Sequence, residues 1–260
     1  MSATTTLFPK AVIFDAYGTL FDVHSVVAAA EQMFPGHGDT LSQLWRQKQI
    51  EYTQLRSLSD LSGAHYEPFW NITLDALRFA ARKLGLTLNS AAEKRLMDEY
   101  ACLSAFPDAI PAVRQLRDRL APAGDLGDAR LGLAILSNGN PQMLDIAVKS
   151  AGMTGLFDHV LSVDSVRAYK PAPAAYALGT QAFGVSPREI VFVSSNGWDA
   201  AGATWFGYTT FWVNRLRAPA EELGVKPHAS GASLADLPAF LDTVSPPDRG
   251  SGRTRHSPGT

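Results

Sequence analysis

The sequence predicts an α/β protein: a doubly wound, Rossmann-like parallel sheet with a helical cap inserted after its first strand. Three observations carry this. Apolar runs of strand length recur along the chain, and they are continuous rather than alternating, as strands covered on both faces require. Helical periodicity separates most of them, which is the βα alternation of a parallel sheet. One interval departs from that rhythm, because residues 21–104 carry helical signals only and are too long for a single crossover.

In chain order, the first seven residues read as polar and residues 1–8 are expected to be disordered. The first strand runs from Ala11 to Phe14 (AVIF). Inside the cap a helix bearing Trp45 is expected around Leu41 to Leu55 and another from about Tyr66 to Lys83. A third starts at Ser90-Ala91-Ala92-Glu93, a capping-box pattern. Pro107 and Asp108 then signal a helix start, with Ile110, Val113, Leu116 and Leu120 on one face. Four more strands follow at Leu131–Leu136 (LGLAIL), Val160–Val163, Ile190–Val193 (IVFV) and Thr209–Val213. The expected division is therefore a core of residues 9–20 and 105–244, a cap of residues 21–104, and a disordered tail over residues 245–260.

Composition narrows the function. The chain has 260 residues, 46% hydrophobic and 18% charged, which suits a globular protein able to bury a sizeable core. A formal net charge of −2 gives no footprint for nucleic acid or for an anionic membrane surface, so a small-molecule partner is expected. No stretch approaches the roughly 18 apolar residues that a membrane span needs, and a cytoplasmic enzyme is the default. The one cysteine, Cys102, lies in EYACLSAF and reads as a buried structural residue. The histidines show no metal-ligand spacing.

Chemistry in this topology belongs at the carboxyl ends of the strands. Reading those ends gives Asp15 after VIF, Ser137 and Asn138 after LAIL, and Ser194, Ser195, Asn196 and Asp199 after VFV. Lys170 joins them from the loop AYKPAP. An acid, a lysine, several small donors and a second acid thus converge.

The segments DAYGTLFDVHSV, LWRQKQIEY, LSNGNP, YKPAPAAY and VSSNGWDAAGA, spread over residues 10–215, resemble the L-2-haloacid dehalogenases of the haloacid dehalogenase superfamily. Phosphatases of that superfamily carry D-x-D in the first motif, where the second acid protonates a leaving oxygen, and further acids that hold magnesium. Here Tyr17 stands at the second acid, and Ser195-Asn196 stands where a metal-binding aspartate is expected. The resemblance therefore implies an enzyme without metal or other cofactor: halide leaves without a proton, and a 2-haloacid carries one carboxylate rather than a phosphate dianion.

On this resemblance Asp15 is the nucleophile. It attacks C2 of a short (S)-2-haloacid, forms an ester and yields the (R)-2-hydroxyacid once water attacks the ester carbonyl. Lys170 is expected to keep Asp15 ionised, Thr19 and Ser194 to orient it, and Asp199 with Asn196 to activate the water. The resemblance assigns the halide to Arg46 of the cap with Asn138 and Trp198 of the core. It places the substrate carboxylate on Ser137, Lys170 and backbone donors near Ala16 and Tyr17, and Tyr176 along the site. Tyr17 reads as pocket wall and His24 as a hinge or hydrogen-bonding histidine. A homodimer through cap helices is also implied. A magnesium-dependent phosphatase and a non-catalytic binding protein on the same scaffold are the rival readings.

Overall fold

The computed structural model describes residues 9–119 and 131–244; the expectations for the two chain ends and for Leu120 lie outside these residues. The strands are β1 (Ala11–Phe14), β2 (Gly132–Ser137), β3 (His159–Ser162), β4 (Ile190–Ser194), β5 (Thr209–Val213) and β6 (Ala229–Gly231). They form one sheet in the order β3-β2-β1-β4-β5-β6, and every pairing is parallel. The order reverses between β1 and β4, so the crevice for a ligand opens above the ends of the two central strands.

Side chains alternate across these strands and feed two apolar layers. Val12, Phe14, Leu133, Ile135, Val191 and Val193 pack on one face; Ala11, Ile13, Ala134, Leu136, Ile190 and Phe192 pack on the other. The first layer meets α5 (Ala109–Arg119), α6 (Pro141–Ser150) and α9 (Leu237–Val244) through residues such as Val113, Leu144 and Leu241. The second meets α7 (Pro173–Phe183) and α8 (Gly197–Phe206) through Tyr176 and Ala203. The continuous apolar runs are thus answered by cover on both faces, as expected. The third strand is the exception: it sits at the sheet edge one residue earlier than expected, and Val160 is 44% exposed. The last strand, β6, was not foreseen, because Ala-Ser-Gly carries no strand signal and pairs only by extending the β5 edge.

Between β1 and α5 the described chain forms four helices: α1 (Val27–Met33), α2 (Gly38–Ser59), α3 (Phe69–Lys83) and α4 (Ser90–Ala101). The first of these is short and was not anticipated. In α3, Phe69, Ile72, Thr73, Ala76, Leu77, Ala80 and Ala81 are buried, a helical stripe turned against α2. The helix begins after Pro68 rather than at Tyr66, and ends where Gly85 takes φ +69°, a conformation that costs glycine little. The capping box expected at Ser90 is not made: Asn89 caps α4 by accepting from the Ala92 N–H at 2.9 Å, while Glu93 pairs with Arg78 at 2.6 Å. Cys102 lies just past the end of α4 and is exposed, so the expectation of a buried cysteine is wrong. Its apolar neighbour Leu103 turns inward instead.

The helical segment leaves and rejoins the sheet side by side. Phe21 bridges Ala105 antiparallel, the Asp22 N–H donates to the Ser104 carbonyl at 2.8 Å, and the Phe106 N–H donates to the Leu20 carbonyl at 2.9 Å. Tyr17, just beyond β1, inserts its ring among segment aromatics, 5.9 Å from Tyr100 and 5.5 Å from Phe69. One apolar cluster therefore runs from the sheet into the helical segment above the strand ends.

Candidate active site

The turn after β1 is built to aim one carboxylate. The Ala16 carbonyl accepts from the N–H groups of Thr19, Leu20 and Phe21, and Gly18 reverses the chain at φ +94°, where a side chain is strained. The reversal carries the Thr19 hydroxyl back onto Asp15, to which it donates at 2.8 Å. Asp15 is buried, and its Oδ2 also accepts from Asn196 Nδ2 at 2.9 Å, while Oδ1 accepts from Lys170 Nζ at 2.7 Å.

Lys170 arrives from the loop before α7. Its backbone N–H donates to Asn138 Oδ1 at 3.0 Å and the preceding N–H, of Tyr169, to Ser57 Oγ at 2.8 Å. The ammonium donates to Asp15, to Asp199 Oδ2 at 2.7 Å and to the Leu136 carbonyl at 3.2 Å, which uses all three of its hydrogens. Burial favours shedding its proton, but the carboxylates of Asp15 and Asp199 outweigh that and hold the Lys170 pKa above its ordinary value. Lys170 thus has charge, but no spare hydrogen, to offer a substrate carboxylate.

Asp199 occupies the first turn of α8, whose N-cap is Asn196. It is fully buried; Oδ1 accepts from the Tyr176 hydroxyl at 2.7 Å, and Oδ2 from Lys170 and from Ser194 Oγ at 3.0 Å. Burial lifts its carboxyl above the usual range, and the nearby charge of Asp15 adds to this against the opposing pull of Lys170. Burial likewise pushes the Tyr176 hydroxyl well above its usual pKa, with Asp199 adding to it, so this tyrosine stays a donor.

A cavity with about 280 Å³ of empty space lies over Asp15. Its lining brings Asp15, Tyr17, Ser137, Asn138, Asn196 and Trp198 of the sheet side against Arg46, Ile50, Thr53 and Phe69 of the helical segment. Arg46 crosses that boundary, donating from Nη2 to the Tyr17 carbonyl at 3.1 Å and to Asn196 Oδ1 at 3.3 Å. Trp198 Nε1 and the Tyr17 hydroxyl are buried and have no protein partner, so two donors remain at the cavity wall. Burial, with Tyr100 adding to it, drives the Tyr17 hydroxyl far above its usual pKa, so it stays protonated.

A family model described as haloacid dehalogenase-like hydrolase matches residues 9–207. The chain belongs to this family. The (S)-2-haloacid dehalogenase of Pseudomonas sp. strain YL is 45% identical over 236 residues, covering 91% of this chain and 96% of its own. Among solved structures, the L-2-haloacid dehalogenase RSc1362 aligns with a TM-score of 0.85 at 62% identity, covering 91% of this chain and 100% of the other. The Xanthobacter autotrophicus L-2-haloacid dehalogenase with chloropropionic acid covalently bound aligns with a TM-score of 0.80 at 38% identity, covering 90% of this chain and 99% of the other.

Within this haloacid dehalogenase-like hydrolase, the residues expected at the strand ends do converge, but several contacts differ from those expected. Ser194 donates to Asp199 and not to Asp15; the second side-chain donor on Asp15 Oδ2 is Asn196. Asp199 is sealed by Tyr176, Lys170 and Ser194 and does not line the cavity, so it has no place beside a water there. Tyr176 likewise stands behind Asp199, in the apolar layer of the sheet. His24 makes a hydrogen bond to Ser42 at 3.0 Å, as expected of a hydrogen-bonding histidine.

Sequence reasoning missed Gln49 and Tyr100. Gln49 is fully buried; its carbonyl accepts from Arg46 Nη1 at 2.7 Å and from the Tyr100 hydroxyl at 3.0 Å, and its amide donates to Thr73 at 2.7 Å. A signal was available: Leu41, Trp45, Gln49 and Thr53 recur every fourth residue on α2, so a glutamine stands in an inward-facing row.

Proposed function

We propose that this chain is an (S)-2-haloacid dehalogenase that hydrolyses short L-2-haloalkanoic acids to (R)-2-hydroxyacids and halide through an ester on Asp15. The observation that carries the reading is a buried carboxylate on the cavity floor, ion-paired to Lys170 at 2.7 Å, with Tyr17 in place of a second acid. A carboxylate is a weak nucleophile at carbon, and it gains from being held in line beside C2 in a site stripped of water.

Oδ2 already accepts two hydrogen bonds and Oδ1 only one, so Oδ1 keeps a lone pair for the attack. Its pair forms the bond to C2 while halide leaves with the C–halogen pair. Water then attacks the ester carbonyl carbon, and the charge that develops on Oδ2 meets donors already in position, the Thr19 hydroxyl and the Asn196 amide. Collapse breaks the bond between the carbonyl carbon and Oδ1, which leaves as the hydroxyl oxygen of the product with one of the water's protons, while the other proton passes to solvent and Asp15 returns as a carboxylate. C2 is untouched in this second step, so its configuration inverts once. The covalently bound chloropropionic acid in the Xanthobacter relative supports an ester in this family.

Arg46, Asn138 and the unpartnered Trp198 N–H form the halide cradle in this reading. Ser137 and the backbone near Ala16 and Tyr17 receive the substrate carboxylate. Asp199 holds Lys170 in register and keeps a counter-charge beside it once Asp15 is esterified. The Lys170 ammonium lies between Asp15 and Asp199 and supplies the positive charge that magnesium supplies in the phosphatase reading.

The division of labour that goes with this is a core of residues 9–20 and 105–244 under a cap of residues 21–104. Leu55, Leu58 and Leu61 are 54%, 76% and 93% exposed at the end of α2, an apolar face that a second copy of the chain would cover in a homodimer. No helix among the described residues is long and apolar enough to cross a membrane. A cytoplasmic location goes with the reading, and cell fractionation tests it.

The deciding assay is halide release from (S)- and (R)-2-chloropropionate in excess chelator. Release from the (S) form alone, unaffected by chelator, is expected. Turnover that needs added magnesium, or an equal rate on the (R) form, defeats the reading.

A further inference from the structure

Beside the site, on the side away from Lys170, stands a charged pair that the mechanism does not use. Arg215 follows β5 and reaches under the nucleophile turn. Its Nη2 donates to the Thr19 carbonyl at 3.1 Å and to Asp108 Oδ1 at 2.9 Å, and its Nη1 to Asp108 Oδ2 at 2.7 Å. The guanidinium lies 4.0 Å from the centre of the Phe106 ring. Asp108 Oδ2 also accepts from the Leu234 N–H at 2.8 Å, which anchors the pair to the segment before α9. Burial alone would lift the Asp108 carboxyl; Arg215 and the Leu234 N–H more than offset it and hold it below its usual range.

The partners of this guanidinium lie on both chain crossings between sheet and helical segment. Thr19 belongs to the outgoing crossing, and Phe106 and Asp108 to the returning one. Thr19 also has little freedom to drift: its hydroxyl donates to Asp15 at 2.8 Å while accepting from the Ser195 N–H at 2.8 Å. A hydroxyl locked between β1 and β4 in this way depends on where its own backbone is held. That backbone is held on one side by its own N–H on the Ala16 carbonyl at 3.2 Å and on the other by Arg215 on its carbonyl.

We propose that Arg215, fixed by Asp108, is a positioning residue for the reaction that acts through Thr19: it sets the height of the nucleophile turn so that the Thr19 hydroxyl reaches Asp15. The planar fork is what makes this possible, because it meets the carboxylate with two parallel bonds and still turns one N–H to the carbonyl. A lysine could supply the charge but not both contacts.

The proposal rests on the dehalogenase reading, and a double-mutant cycle tests it separately. Halide release from (S)-2-chloropropionate is measured for the native protein, Arg215→Met, Thr19→Val and the double variant, with kcat and KM resolved and the thermal midpoint of each recorded. Arg215→Met is expected to lower kcat on the order of 10- to 100-fold, the scale of an ångström-sized misplacement, with KM little changed. In the Thr19→Val background the same substitution is expected to cost almost nothing more, because the route it acts through is already gone. Arg215→Lys is expected to fall between. Losses that multiply in the double variant, or an unchanged kcat in Arg215→Met, overturn the proposal. If Arg215→Met does not fold, Asp108→Asn, which keeps the arginine but loosens its anchor, takes its place in the cycle: a loss of kcat that vanishes in the Thr19→Val background supports the proposal, and a loss that multiplies overturns it. A native protein that releases no halide from either enantiomer overturns the dehalogenase reading and this proposal with it.

Discussion

At the scale of single residues the site is an arrangement of donors around one carboxylate, and each donor has a separable consequence. Thr19→Val removes one of two hydrogen bonds to Asp15 Oδ2 and is expected to lower kcat by about 10²- to 10³-fold, the usual loss for one oxyanion donor. Steady-state halide release checks this. Lys170→Met leaves Asp15 and Asp199 buried without the cation that separates them, at a cost of roughly 3–5 kcal/mol in folding stability. Urea denaturation of the variant should show that loss together with loss of turnover; a native-like midpoint would contradict the pairing. Residue identities were the most legible part of the sequence, because strand ends can be counted and a parallel sheet sends its strand-end residues to one crevice. Individual contacts were not legible. Ser194 was expected on Asp15, but the turn from β4 into α8 points its hydroxyl at Asp199, five residues on in the first turn of that helix.

At the scale of elements, α2 delivers Arg46 and holds it with a row of buried polar groups. Gln49→Leu is expected to strand the Tyr100 hydroxyl and an Arg46 N–H, and to leave Thr73 only its bond to the Phe69 carbonyl. Each buried orphan costs about 1–3 kcal/mol, so the variant should be destabilised and its halide release weakened. A fall in stability without any fall in rate would show that Arg46 needs no such support. A second element-level prediction concerns the turn into β4. Glu189 accepts from the Lys10 ammonium and from Ser186 and is held down to about 2 from an ordinary 4.5. Because the folded value is the lower one, its contribution to stability is present above about 4.5 and is lost as pH falls toward about 2. Glu189→Gln should therefore flatten the pH dependence of the urea midpoint in that window and leave it unchanged in shape near neutrality. Long periodic elements such as α3 were readable from sequence, since seven buried positions at helical spacing leave little choice. Elements without a long apolar signature, α1 and β6, were not: one is seven residues in which only Ala29 and Ala30 are buried, and the other is three residues whose pairing depends on an edge already in place.

At the scale of the whole molecule, the active site exists only where helical segment and sheet meet. Arg46, Ile50, Thr53 and Phe69 come from one side, Asp15, Ser137, Asn138 and Trp198 from the other. The two sides are also fastened away from the cavity. The Tyr66 hydroxyl donates to Asp164 at 2.8 Å, Arg167 donates to the Gly63 carbonyl at 3.1 Å, and the Tyr169 N–H is held by Ser57 beside Lys170. That fastening was invisible in the sequence, because it joins residues about a hundred positions apart and, apart from Tyr169 at the head of YKPAPAAY, none of them lies in a motif segment. The insertion itself was visible, since no crossover helix needs so long a stretch. Assembly is the remaining claim at this scale. If the leucine face of α2 pairs two copies, Leu58→Glu should convert a dimer to a monomer in light scattering; a native protein that is already monomeric sinks that claim and leaves the site chemistry untouched.

The most direct test of the central claim, an ester on Asp15, is a single turnover with enzyme in excess over (S)-2-chloropropionate in ¹⁸O-labelled water. Unlabelled hydroxyacid is expected from that first turnover, with one ¹⁸O atom in the peptide that contains Asp15, because water attacks the ester carbonyl and not C2. Labelled hydroxyacid with an unlabelled peptide would mean that water attacks C2 directly, and Asp15 would not be the nucleophile.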